Sequence, residues 1–345
     1  MPELENIKLV SLPIIGITMG DAAGIGPEIT LKALTDKHLL TLCRPVIVGD
    51  MAFLRRTAWA LALEIDLVDF DQSQPGRDQV EVFNLNNLNE AVKIGDENGI
   101  TGKASAEYIK AAVQLWREKK IDAIATAPIS KKAISLGGYN FPGHTEFLAE
   151  LTSTKEFAMS FFAEKLRVVL LSTHVSLRQA IDLVKKEPLV ELIRFSHRQF
   201  SALLGRAARI AVAGLNPHAS ESGMFGSEEA NEILPAIAEC RDVYGLDISG
   251  PFSPDTIFLR GFQGEFDAVV ACYHDQATIA VKSLSFGSSV NVTLGLPLIR
   301  TSVDHGTAFD IAGKGIADAS SMKAAIILAA ELSNDRRDNG ASGKL

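Results

Sequence analysis

Short runs of Val, Ile, Leu and Ala recur along the chain, separated by stretches in which apolar residues return every three or four positions. The runs Leu12–Thr18, Pro45–Val48, Ile121–Thr126, Val168–Ser172, Ile210–Leu215 and Phe266–Tyr273 predict strands. Most are nearly continuous in apolar residues, as expected of strands covered on both faces. Ser105–Trp116, Leu177–Val184, Glu228–Ala238 and Ser321–Leu332 carry helical spacing. Strands that alternate with helices imply parallel crossovers and an α/β fold. Asp71–Val80 is polar and holds Pro75 and Gly76, so it reads as a surface loop. The polar tail Ser333–Leu345 reads as a fraying end. Crossing points between two domains are expected at Leu136–Gly143 and Val290–Ile299.

Composition narrows the class. With 345 residues, 47% hydrophobic and 22% charged, the chain has ample apolar surface for one large or two ordinary domains. It carries 34 basic against 42 acidic residues, a net charge of −8, with no long basic run, which argues against a nucleic-acid partner. No apolar run reaches the ~18 residues of a membrane span. Met1-Pro2-Glu3-Leu4-Glu5 has acids where a secretory signal has bases. Cys43, Cys240 and Cys272 are odd in number and scattered, and read as reduced thiols of a cytoplasmic protein.

The histidines locate the candidate chemistry. His174, His218 and His274 each follow a predicted buried strand, where open parallel sheets bind ligands. Neighbouring strand ends would bring the three rings to one point, and three imidazoles with an open position suit a divalent ion. The alternative reads them as loop histidines with local hydrogen bonds. Asp275 would orient a ligand ring, or else serve as a surface charge. His144 precedes the helical stretch Phe147–Leu151, with Thr145 as the expected N-cap, and a helix start is an anion site. Gly20–Glu28 is glycine-rich but matches neither the dinucleotide fingerprint nor a Walker loop, and reads more simply as a tight strand-to-helix turn. Lys131 and Lys132 follow another predicted strand and either serve an anion or face solvent. Lys282, Asn291 and Arg300 are receptors for phosphate or carboxylate. The glycine-bearing loop Asp304–Gly315 lets backbone approach a flat ligand.

Taken in order, these segments resemble the 4-hydroxythreonine-4-phosphate dehydrogenases of vitamin B6 synthesis and their paralogues. The resemblance runs from about Ile14 to Leu332 through Ile17–Asp21, Gly24–Glu28, Gly143–Glu146, Gly214–Ala219, Gly250-Pro251, Tyr273–Gln276, Leu294–Pro297 and Ile299–Ala308. It implies the two-domain α/β/α fold of isocitrate and isopropylmalate dehydrogenases, with a cleft between residues 1–140 plus 290–345 and residues 141–289. It implies a divalent metal (Zn, Mg or Co) on His174, His218 and His274 at a homodimer interface, with the third histidine supplied by the partner subunit. Substrate contacts would come from His144, Thr145, Lys282, Asn291 and Arg300. The segment His305–Gly313 is similar to an adenosine-binding loop, so His305, Gly306, Thr307, Ala308 and Asp310 would hold NAD or NADP.

The implied reaction is oxidation and decarboxylation of a 4-phosphorylated four-carbon hydroxy acid, with Lys282 or a water held by Asp275 as proton shuttle. The leading substrate is 4-(phosphooxy)-threonine, and the alternative is 4-phospho-D-threonate or 4-phospho-D-erythronate. Ala277-Thr278-Ile279-Ala280, Gly250–Asp255 and Phe309-Asp310-Ile311 side with the alternative. Two further readings stand apart: a metal hydrolase, and a binding protein without chemistry.

Overall fold

The computed structural model of the chain describes residues 12–71, 75–76, 78–88, 92–285 and 287–338. The acidic residues Met1–Glu5, part of Asp71–Val80 and the tail beyond Asp338 lie outside the described residues. In chain order the strands are β1 (Ile14–Thr18), β2 (Arg44–Gly49), β3 (Asp66–Asp69), β4 (Gln79–Asn84), β5 (Ala123–Thr126) and β6 (Ala158–Ala163). They continue with β7 (Leu166–Leu170), β8 (Ile210–Ala213), β9 (Ile248–Phe252), β10 (Ala268–Ala271), β11 (Val290–Leu294) and β12 (Ile299–Ser302).

All join one sheet of 12 strands in the order β3-β4-β2-β1-β5-β12-β11-β6-β7-β10-β8-β9. The fold is α/β, with helices over a large mixed sheet. The parallel expectation holds on the two flanks and fails at the centre. There β11 runs antiparallel to both β12 and β6, and β6 antiparallel to β7. Sequence reasoning passed over β6 and β12 because Ser160, Arg300 and Ser302 interrupt their apolar runs. The chain leaves the first flank after β5 and regains it at β12.

The predicted strands are the buried ones: Ile15, Ile17, Val168, Val169, Ile210 and Val270 are fully covered. Such packing on both faces excludes alternation and explains the unbroken apolar runs. Three boundaries differ from expectation. The loop after Asp71 ends at Gln79, where β4 begins. The last helix runs Ser320–Asp338, past the expected fraying point, because Leu332 and Ser333 are buried. Glu228–Ala238 divides into a π-helical turn at Glu229–Ile233 and an α-helix at Leu234–Asp242. Among the described residues no helix is long and apolar enough to cross a membrane.

Candidate functional site

Where β5, β11 and β12 approach the helix His144–Leu151, a cavity of about 370 Å³ opens, lined among others by Lys131, His144, Thr145, Glu146, His174, Asn291, Arg300 and His305. Arg300 lies at its base with only 3% of its surface exposed. Its register partner Ile124 on β5 brings it beside Thr126. Arg300 Nε and Nη2 both donate to Thr126 Oγ1, at 3.2 and 2.9 Å. Nη1 donates to Asn291 Oδ1 and Thr293 Oγ1, each at 3.1 Å. Thr293 Oγ1 is in turn 3.3 Å from Thr145 Oγ1. Every one of these acceptors is neutral, so the guanidinium charge is held in place without being cancelled. Burial pushes its pKa down to about 9, against the pull of nearby Glu146.

Thr145 is therefore not the helix cap. Gly143 occupies that position with no side-chain bond, while Thr145 turns inward to Thr293. His144 opens the helix, and its Nε2 is buried without a hydrogen-bond partner. Burial drives its pKa well down, the charge of Arg300 adds to this, and the ring is neutral. A neutral imidazole, a buried cation and the free N–H groups of a helix start form a receptor for an anion.

The histidine centre adjoins this cavity. β7 and β10 are parallel neighbours, so His174 and His274 face one another with ring centroids 5.9 Å apart. His274 Nδ1 lies 2.8 Å from Asp275 Oδ1, which leaves Nε2 for a further partner. Both rings line a second cavity of about 240 Å³, and His174 borders both cavities. Its pKa is lowered first by burial, then by the charges of Lys131 and His274. The strand ends are laced together. Ser172 Oγ donates to Cys272 O, Cys272 N–H to Gln276 Oε1, and Gln276 Nε2 to Gly214 O.

His218 departs from expectation. Among the described residues no three His, Cys, Asp or Glu side chains stand close enough to hold a metal ion, so the three rings do not converge within one chain. The sheet order sets β8 on the far side of β10 from β7. His218 is also exposed, in a left-handed stretch (φ 52°), and lines neither cavity. The buried carboxylate of Glu229 anchors the approach to it, accepting the N–H groups of Leu215 and Asn216 at 2.8 and 2.7 Å.

Lys282 also stands outside the cavity lining, with Nζ 3.9 Å from Asp304 Oδ2. Asp304 is held by Ser289 and Ser321. Of the expected cofactor residues, His305 and Gly306 line the main cavity, and His305 Nε2 is buried without a partner. Thr307 packs on the glycine-rich loop: Ile25 N–H donates to Thr307 O at 2.9 Å, and a Cβ on Gly24 would come within 2.8 Å of that oxygen. Ala308 is left-handed (φ 41°) and Asp310 is exposed. Lys131 faces the cavity, whereas Lys132 pairs with Glu97 at 2.9 Å.

Sequence reasoning missed Thr126 and Thr293. The signals were a polar residue closing a buried strand, and the two-residue spacing of Asn291 and Thr293, which puts both on one strand face.

Comparison with known proteins fits this geometry. A family described as "Pyridoxal phosphate biosynthetic protein PdxA" matches residues 41–329. A putative D-threonate 4-phosphate dehydrogenase of Oceanobacillus iheyensis is 45% identical over 93% of the chain and 98% of its own length. The D-threonate 4-phosphate dehydrogenase of Cupriavidus necator is 44% identical over 94% and 98%. The crystal structure of 4-hydroxythreonine-4-phosphate dehydrogenase from Klebsiella pneumoniae superposes with a TM-score of 0.86 at 40% identity, covering 93% of this chain and 99% of that one.

Proposed function

Because the chain belongs to the family of the pyridoxal phosphate biosynthetic protein PdxA, a dehydrogenase family acting on a CH–OH group, we propose that it oxidises and decarboxylates a 4-phosphorylated four-carbon hydroxy acid. The observation that carries this reading is Arg300, a buried cation whose hydrogen-bond acceptors are all neutral, beside the unpartnered Nε2 of His144. An anionic substrate supplies the missing charge.

Two absent groups fit the residues present. The facing rings of His174 and His274, with Asp275 on His274 Nδ1, suit a divalent ion whose coordination a histidine of a second copy completes. The exposed apolar side chains Val175, Leu177 and Ile181 beside His174 suit burial against that copy. The loop His305–Asp310, with the unpartnered His305 Nε2, suits NAD or NADP. When bound, the ion supplies charge to polarise the alcohol oxygen and the nicotinamide accepts the hydride.

The chain's own residues supply the rest. His144, Thr145 and Arg300 bind and orient the phosphate, and Asn291 fixes Arg300 from the other side. Either Lys282, in its neutral form, or a water held by Asp275 takes the hydroxyl proton as the C–H hydride leaves, which yields a β-keto acid. The bond to the carboxylate then breaks, CO₂ departs, and its electron pair moves onto the carbonyl oxygen. Return of a proton to carbon completes the reaction. The cleft lies between the two expected domains, lined from the first by residues such as Lys131 and Arg300 and from the second by His144 and His174, and the enzyme works in the cytoplasm.

Two substrates share the phosphate, alcohol and carboxylate read by this site. 4-Phospho-D-threonate carries a hydroxyl at C2, and 4-(phosphooxy)-threonine an amine. The first is favoured because both curated relatives described above are named for it. Enzyme with a divalent ion, NAD⁺ or NADP⁺ and each acid in turn should raise absorbance at 340 nm, with at least tenfold higher kcat/KM for 4-phospho-D-threonate. Reduction with neither acid at high enzyme concentration overturns the reading, and preference for the amine exchanges the two substrates.

A further inference from the structure

The segment from Asp304 to Ala319, which holds the expected cofactor residues, has neither strand nor helix of its own. Gly313 and Gly315 are left-handed, each with φ 72°, as is Ala308 at 41°. Its internal backbone bonds include Ile311 N–H to Ala308 O at 3.1 Å and Lys314 N–H to Ile311 O at 3.2 Å. A loop of that composition samples many shapes unless something outside it fixes one.

Two residues of the helix Gly26–Leu34 do so. Lys32 Nζ donates to Gly315 O at 2.8 Å, to Ala317 O at 2.8 Å and to Glu28 Oε1 at 2.7 Å. An ammonium has three N–H donors, and all three are used. Glu28, 2% exposed, accepts the N–H of Ala317 on the same Oε1 at 2.9 Å. Both polar groups of the Ala317 backbone are thus held from one helical turn more than 280 positions earlier. The bond from Ile25 to Thr307 secures the other end of the loop from the same unit. Residues 308–314, Asp310 among them, are strung between two anchors.

We propose that Glu28 and Lys32 are positioning residues that set the 305–318 loop in its cofactor-binding shape before the cofactor arrives. This rests on the assignment of that loop to NAD or NADP made above. It also gives the glycine-rich loop a role: with Gly24 and Ile25 it seats Thr307, and the helix that follows holds Ala317. Ordering a loop in advance removes that cost from the binding step, so losing the strap weakens cofactor affinity and leaves the anion pocket intact.

The test compares Lys32→Met and the near-isosteric Glu28→Gln with wild type. NADH and NADPH binding are followed by fluorescence, KM for the phosphorylated acid and kcat at saturating cofactor by kinetics, and loop order by amide hydrogen exchange. The expected result is about a tenfold rise in the dissociation constant of the preferred cofactor and in its KM. Acid KM and kcat should stay within twofold, with faster exchange across residues 311–318 and Lys32→Arg restoring part of the affinity. Faster exchange with unchanged cofactor affinity overturns the proposal and leaves the strap as a fold contact. Equal loss of acid and cofactor affinity also overturns it. If Lys32→Met fails to fold, Glu28→Gln carries the test. A wild-type enzyme that binds neither cofactor refutes the assignment of the loop instead.

Discussion

Around Arg300 the guanidinium's hydrogen bonds are all made within the chain, whereas around His174 and His274 the side chains are open and bordered by exposed Val175, Leu177 and Ile181. The difference follows from what each group costs to bury. A guanidinium removed from water needs its donors satisfied, so the fold surrounds it with hydroxyl and amide oxygens before any substrate arrives. Imidazoles at the surface keep contact with water and demand little, and their coordination can wait for another molecule. One half of the site is preorganised and the other is left open.

Replacing Arg300 attacks the preorganised half and should have the largest effect. Arg300→Met removes the fixed cation and leaves Thr126, Asn291 and Thr293 short of their donor. A fall in kcat/KM of about 1000-fold, roughly 4 kcal/mol, is expected. If steady-state kinetics show less than a tenfold loss, the phosphate does not depend on this residue.

Asp275→Asn probes the open half more gently. It keeps both rings and weakens only the grip on His274 Nδ1, so the affinity for Zn²⁺ or Co²⁺ should fall about tenfold. Titration with a competing chelator measures this, and unchanged affinity would separate Asp275 from the centre.

The smallest effect concerns protons. His144 is held neutral in the folded chain, while in the unfolded chain its pKa returns to ~6.5. Below that pH the unfolded chain takes up a proton that the folded chain refuses. Stability contributed by the neutral ring is therefore full above pH ~6.5 and declines as pH falls, by up to about 1.4 kcal/mol per pH unit. Between pH 7.5 and 5.5, wild type should lose more in melting temperature than His144→Asn. Parallel pH profiles for the two proteins would show that burial does not suppress protonation of His144.

Much of the open half was legible in the sequence. Apolar runs ending in Thr173-His174 and Tyr273-His274 announce buried strands with polar ends, and the period of a strand is local information. The Arg300 network was not legible as a network. Its members Thr126, Asn291, Thr293 and Arg300 are joined by the β5–β12 and β11–β12 pairings, Thr145 reaches them from a helix through Thr293, and Thr126 and Arg300 stand 174 positions apart. Thr145 shows the limit in a single residue. Its place before a helical run has the signature of a cap, yet packing turns its hydroxyl to Thr293. His218 shows another, since spacing along the chain says nothing of the strand that comes between.

The sequence by itself determined the α/β alternation and the strand ends that carry His174 and His274, because each depends on composition over a few neighbouring positions. Only the tertiary structure decided that Arg300 is ringed by neutral acceptors, that His174 pairs with His274 and not His218, and that the 305–318 loop is tied to Glu28 and Lys32. Those outcomes depend on strand order and burial, which join residues remote in sequence and fix which polar atoms keep water and which must find a partner.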